Sequence, residues 1–395
     1  MKKQIAVTLC MVFLLVGCGT GLQSASTQIV DLPTGIPTNT PVPPTDTPTT
    51  VPPTITPTVP PQDYGPVNFP AEVNPLTGLI VTDPTRLDRR PLAVKIQIFP
   101  RSDRPPMNLS LADIVYDYYQ NNGMTRFHAI FYGNDAQQVG PIRSARLLDI
   151  SLIRMYKSIF AFAGADKRVL NKLYGTEFYD RLVVEGSANC PPMCRLDQNA
   201  ENFLVADTLE MGKFIVGKGV DNSRQNLDGM TFKTEAPANG QPAVKIFNRY
   251  SISAYSRWDY DSASGRYLRF QDTQEDYGGA GEAYGPLNDK ITGIQISAAN
   301  VVVILVPHRF VVKSGGSEIV AIDLEVSGPA YAYRDGNVYQ VNWNHQNADS
   351  VLTLTFPDGS AYPFKPGNTW FEVVGKSTTI TNPEANAWRF EMQFP

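Results

Sequence analysis

Pro91-Leu92-Ala93-Val94-Lys95-Ile96-Gln97-Ile98, then Leu111-Ala112-Asp113-Ile114-Val115-Tyr116-Asp117-Tyr118-Tyr119-Gln120-Asn121-Asn122, then Phe127-His128-Ala129-Ile130-Phe131-Tyr132 is the stretch that decides the fold class. The first and third runs are short, apolar and rich in β-branched or aromatic residues, which marks strands. In the second, Ile114, Val115, Tyr118 and Tyr119 recur at helical spacing and Gly123 stands where a helix stops, so residues 111–122 are expected to be helical. Downstream, 147–157 read as a helix, 158–164 as a strand, 167–174 as a helix and 200–214 as a further helix. Strands alternating with helices predict an α/β N-terminal domain with a mixed, partly parallel sheet.

After about residue 235 the character changes. Turn signals become dense: Asp261-Ser262-Ala263-Ser264-Gly265 inside 255–270, Arg334-Asp335-Gly336-Asn337 inside 331–343, and Pro357-Asp358-Gly359-Ser360 followed by Pro366-Gly367-Asn368 inside 351–374. Each reads as a hairpin, and Val301-Val302-Val303-Ile304-Leu305-Val306 as one buried strand. The expected fold class is therefore α+β overall, an α/β domain over 63–235 followed by a mainly β domain over 236–395.

Two segments precede these domains. Met1-Lys2-Lys3 and the apolar run Ile5 to Val16 have the order of a signal peptide, read here as residues 1–17, too short for a membrane span. The run ends in Leu15-Val16-Gly17-Cys18, which resembles a bacterial lipobox. That resemblance implies that Cys18 becomes the lipidated first mature residue, carrying palmitate-type acyl chains. Two or three such chains hold a protein stably on a bilayer. Residues 18–62 follow as a Thr/Pro-rich linker: between positions 33 and 61 there are 11 Pro and 10 Thr with almost no charge, a composition that favours extended polyproline II. The expected location is extracytoplasmic, on the outer side of a bacterial membrane.

The whole chain of 395 residues is 42% hydrophobic and 18% charged with net charge −4, which excludes a disordered or coiled-coil protein. It also lacks the basic stripe of a nucleic-acid binder. Cys190 and Cys194, separated by Pro191-Pro192-Met193, suggest a local disulfide worth about 2 kcal/mol on the entropy model. With no His or further Cys nearby they form no zinc site, and neither a metal nor a cofactor is expected.

One stretch breaks local rules. Gly140-Pro141-Ile142-Arg143-Ser144-Ala145-Arg146 leads into the 147–157 helix, with Ser144 as expected N-cap. Arg143 and Arg146 then sit at the positive end of the helix dipole, where cations are disfavoured. Together with Arg126, this conflict marks a candidate site for a phosphate or carboxylate. The alternative is a bracing network in which Asp113 and Asp117, four apart on one helical face, supply the anions. Between these stands the mixed expectation, with Arg126 paired to Asp113 or Asp117 and Arg143 turned towards the cleft.

Asn74-Pro75-Leu76-Thr77-Gly78, Arg90 to Ile96, Ala112 to Asp117, Gly123-Met124-Thr125-Arg126-Phe127 and Val139 to Arg146 resemble, in order and spacing, the YerB-like family of bacterial lipoproteins. Val306-Pro307-His308, Tyr333-Arg334-Asp335-Gly336 and Pro366-Gly367-Asn368-Thr369-Trp370 look like that family's second domain. The resemblance covers about residues 72 to 376 and implies a two-domain extracytoplasmic lipoprotein of uncharacterised molecular function. Asp117 stands where the family has Glu, and Ala200-Glu201-Asn202-Phe203 where it tends to carry Pro-His-Asn. The expected role is binding or scaffolding of a cell-wall polymer or an envelope protein, with no clear enzymatic set. The alternative is an envelope hydrolase or transferase acting on glycan or an anionic wall polymer, with Asp113 and Asp117 as candidate acid and base.

Overall fold

The computed structural model describes residues 63–186, 190–197, 203–314, 317–324 and 326–394. The expected signal peptide, Cys18, the Thr/Pro-rich linker and residues 200–202 lie outside them. In the first half come β1 (Val73–Asn74), β2 (Leu79–Ile80), β3 (Leu92–Gln97), β4 (Ile114–Asn121), β5 (Met124–Phe131), α1 (Leu147–Tyr156), β6 (Ile159–Phe162), α2 (Lys167–Tyr174), β7 (Leu182–Val184), β8 (Met193–Arg195), β9 (Leu204–Ala206) and α3 (Thr208–Gly217). The second half holds β10 (Gln241–Pro242), β11 (Lys245–Arg249), β12 (Tyr255–Asp261), β13 (Arg266–Asp272), β14 (Tyr284–Pro286), β15 (Ser297–Ala298), β16 (Asn300–Val306), β17 (His308–Ser314) and β18 (Ser317–Ile322). It ends with β19 (Val326–Arg334), β20 (Asn337–His345), β21 (Thr353–Thr355), β22 (Thr369–Gly375), β23 (Thr379–Thr381) and β24 (Ala387–Glu391). Among these residues no helix is long and apolar enough to cross a membrane.

Strands from both sides of residue 235 build one 11-stranded sheet in the order β10-β20-β19-β16-β22-β4-β5-β3-β6-β7, with β21 on β20. Its pairings are mixed: β3 with β6, β6 with β7, β16 with β22 and β22 with β4 are parallel, while β3–β5 and β4–β5 are antiparallel. A second sheet, β14-β13-β12-β11-β24-β23, comes wholly from the later half and is antiparallel except for β11 with β24. It packs on the first through Trp258 and Trp370, whose rings meet edge to face at 5.1 Å. This is the mixed sheet followed by mainly β structure that the sequence predicts, with the addition that the first sheet is continuous across the expected boundary at 235.

Residues 111–122 are not a helix. A short turn over Leu109–Leu111 leads into β4, whose positions are buried from Ile114 to Gln120. A central strand covered on both faces shows no alternation, so its apolar residues match helical spacing by default. The β-branched and aromatic side chains decide for the strand. Asn122 (φ 49°) and Gly123 (φ 76°) form the two-residue connection to β5, both left-handed, as an Asn-Gly hairpin requires. Gly123→Ala is expected to cost about 1–2 kcal/mol in a denaturant titration, because an L residue is strained at that φ. The added Cβ would also stand 2.9 Å from Ser251 Oγ.

Two further expectations need correction. The helix expected over 200–214 begins only at Thr208, after β9, where Asp207 caps it by accepting from Glu210 N at 3.1 Å. The turn at Pro366-Gly367-Asn368 does not close a hairpin. It delivers β22 into the middle of the sheet, parallel to both neighbours. The hairpins β12–β13 and β19–β20 and the buried strand β16 stand as read.

Candidate functional site

The extended segment before α1 is held on both sides by backbone hydrogen bonds. Val139 and Ala206 exchange bonds of 2.8 and 2.9 Å, Ile142 N donates to Leu204 O, Arg143 N to Lys95 O, and Ala145 N to Gly164 O. Position and direction of the arginines are thus fixed before any ligand arrives. The disulfide Cys190–Cys194, with its sulfurs 2.04 Å apart, supports this from behind, because Met193, Cys194 and Arg195 pair with Ala206, Val205 and Leu204.

Ser144 is not the N-cap of α1. Arg146 holds that position, and its backbone N–H donates to Asp149 Oδ2 at 2.6 Å, so the acidic residue of the first turn serves the helix start. Asp149 also gathers a fully buried polar cluster. Its Oδ1 accepts from Tyr118 Oη at 2.5 Å, meets His128 Nδ1 at 2.8 Å and lies 3.3 Å from Lys95 Nζ, which also bonds to Tyr118 Oη. His128 lies flat against Phe160. Burial acts to raise the Asp149 pKa, but the Lys95 charge and the bonds from His128 and Tyr118 prevail and hold it below the usual carboxylate range. Burial, only partly opposed by Asp149, lowers the Lys95 pKa to about 7.

Above this cluster stand the half-buried Arg126, Arg143 and Arg146. Arg126 Nη1 donates to Ser144 O at 2.8 Å. Arg146 donates to Gln120 Oε1 at 2.7 Å and to the carbonyls of Ala145 and Ser144 at 2.9 and 3.3 Å. Arg143 Nε donates to Gln97 Oε1, which belongs to β3. Burial and the charges of Arg146 and Arg143 push the Arg126 pKa well down, a mark of crowded positive charge.

The aspartates lie elsewhere. Asp113, at a bend just before β4, and Asp117, within that strand, stand about 13 Å apart by strand rise, and not on one helical face. Asp113 Oδ2 accepts from Tyr132 N at 2.5 Å and Gly133 N at 2.9 Å, and burial, against those two bonds, the Asn74 side chain and the Arg89 charge, raises its pKa to about 6. Asp117 Oδ2 meets Arg269 Nη2 at 2.6 Å, and the other arm of Arg269 meets Glu372 Oε1 at 2.5 Å, all three being closed off from solvent. Neither aspartate pairs with Arg126 or Arg146, so the expected Arg126 ion pair with Asp113 or Asp117 is replaced by a carbonyl contact. Sequence reading missed Lys95, Gln120, Asp149 and Arg269. For Arg269 a signal existed: Tyr267, Arg269 and Gln271 alternate on the inward face of β13.

Comparison with known proteins agrees with this architecture. Residues 76–220 match the family model described as protein of unknown function (DUF3048) N-terminal domain, and 246–371 match its C-terminal domain. YerB of Bacillus subtilis (strain 168), which carries the name of a lipoprotein, is 28% identical over 312 residues, 76% of this chain and 85% of the relative. The crystal structure of YerB from Bacillus subtilis superposes with a TM-score of 0.61 at 25% identity, covering 76% of this chain and 96% of that one. With both domain models matched in order over more than half of its length, the chain belongs to the YerB-like DUF3048 family of uncharacterised molecular function.

Proposed function

We propose that the protein is anchored through lipid on Cys18 to the outer side of a bacterial membrane and binds an anionic cell-envelope ligand at Arg126, Arg143, Ser144 and Arg146. The Leu15-Val16-Gly17-Cys18 tetrad and the lipoprotein name of the Bacillus subtilis relative support the anchor. One observation carries the site. Among the described residues, Arg126 and Arg146 hydrogen-bond to neutral oxygens, with no carboxylate in ion-pair contact. Two guanidiniums held close together with no carboxylate in contact repel each other, a repulsion that the buried Asp149 beneath offsets only in part, and a phosphate or carboxylate between them removes it. A phosphate-bearing wall polymer has this chemistry.

Retention of the full chain on isolated cell-wall material tests the reading. The Arg126→Ala, Arg146→Ala double variant is expected to lose at least about 3 kcal/mol of affinity, two charge-assisted hydrogen bonds at the lower end of their range. Wall material stripped of phosphate polymers is expected to retain neither protein. Equal retention of the two proteins on intact walls removes these arginines from the account.

A further inference from the structure

The other end of β4 carries a second feature, about 23 Å from the arginines by strand rise between Asp113 and Gln120. There the β1–β2 hairpin roofs a cavity of about 120 Å³. Its rim is apolar and exposed: Leu79 and Ile80 are 46% and 54% accessible. Its floor is polar and buried. Asn74, 1% accessible, uses Oδ1 to accept from Leu76 N at 2.9 Å, but its Nδ2 has no partner among the described residues. Beside it lies Asp113, whose two backbone bonds both fall on Oδ2; the Asn74 side chain is close enough to act downward on the Asp113 pKa, but the two groups form no hydrogen bond of good geometry, so Oδ1 keeps acceptor capacity. Gly133 keeps the space open, since a Cβ there would stand 2.9 Å from Asn74 Nδ2. A buried donor without a partner costs about 1–3 kcal/mol, so an occupant that accepts from Asn74 and donates to Asp113 is favoured.

A hydroxyl does both at once. Anions are disfavoured by the carboxyl on the floor, and the cavity's one cation, Arg86, already faces Asp83 and Asp135 at 3.6 Å each. We propose that the cavity is a binding subsite for an uncharged sugar, in which one hydroxyl bridges Asn74 and Asp113, its neighbour reaches Asn134, and Leu79 and Ile80 cover the C–H face. Asn134 has an exposed amide whose Nδ2 is used on Leu111 O, which leaves its oxygen as the acceptor. This site is independent of the arginine cluster.

Calorimetric titration of the full chain with chitotetraose and with maltotetraose tests it. Saturable binding of at least one is expected, weakened about tenfold by Asn74→Ala, the equivalent of one hydrogen bond to a buried donor. Gly133→Ala, which displaces that amide, should weaken it similarly. Asn134→Ala is a surface change that leaves the fold intact, and it should weaken binding too. Inorganic phosphate should not compete, and the Arg126→Ala, Arg146→Ala variant should bind the sugar as the parent does. Absence of saturation with both sugars, which would leave the cavity to ordered water alone, overturns the proposal. So does binding that survives Asn74→Ala and Asn134→Ala unchanged.

Discussion

Arg269→Met is expected to cost about 3–5 kcal/mol of folding free energy at pH 8, because it leaves two opposed carboxylates buried without their cation. Asp117 and Glu372 are direct register partners on parallel strands, and both depend on the one guanidinium. That guanidinium also packs against Trp370, Trp258 and Phe127, with its centre 4.6, 5.1 and 5.3 Å from the rings. Methionine fills much of the same volume, so the loss reports charge more than packing.

The pH dependence follows from Asp117. Burial, and then the Glu372 charge, raise its pKa in the native state above the ordinary aspartate value. The folded protein therefore binds this proton more tightly than the unfolded chain, and the stability contributed here falls as pH rises above the unfolded pKa. Without Arg269 the pKa rises further. Urea titrations at pH 5 and pH 8 are expected to show a smaller penalty at pH 5, where Asp117 takes up its proton. Equal penalties at both would mean that the guanidinium acts by packing alone.

Asp149→Asn is expected to have a similar effect, about 3–5 kcal/mol at pH 6, because it strands the buried Lys95 ammonium. It also weakens the acceptor of His128, Tyr118 and the Arg146 amide. The cost should shrink as pH rises, since Lys95, whose pKa falls further once the Asp149 charge is gone, then sheds its proton. The companion variant Lys95→Met removes the stranded charge, so Lys95→Met, Asp149→Asn together should cost less than the sum of the two singles. Additive losses measured by chemical denaturation would show that the pair is not coupled.

The fold was legible where one face or one turn dominates. The run from Val301 to Val306, too short to be anything but a buried strand, and the turns at 261–265 and 334–337 led directly to β16, β12–β13 and β19–β20. It was misread where both faces are buried: in β4 the periodicity that separates helix from strand disappears, and Asn122-Gly123 was the better guide. The site was half legible. The conflict of Arg143 and Arg146 with the helix dipole is a local rule, visible in the sequence. What resolves it is not local: Asp149 caps the helix from within, Gln120 arrives from a strand end, and Asp117 is occupied by an arginine 152 positions later. No spacing rule connects residues that meet only through the order of strands in a sheet.

The position of β22 has a consequence for the history of each molecule. This strand pairs with β16 on one side and β4 on the other, joining Ile114 to Thr369. A chain supplied from its N-terminus can form the antiparallel unit β4–β5–β3 early, with β5 in the middle, but the outer edge of β4 stays open until residue 375 has arrived. Open, hydrophobic strand edges recruit other chains, and long-range parallel pairing is slow to form. Every copy thus passes through an interval in which most of its sequence exists and its central sheet is in two pieces. A chain shortened before β22 would remain in that interval, with β4 and β16 exposed to any neighbour able to add a strand.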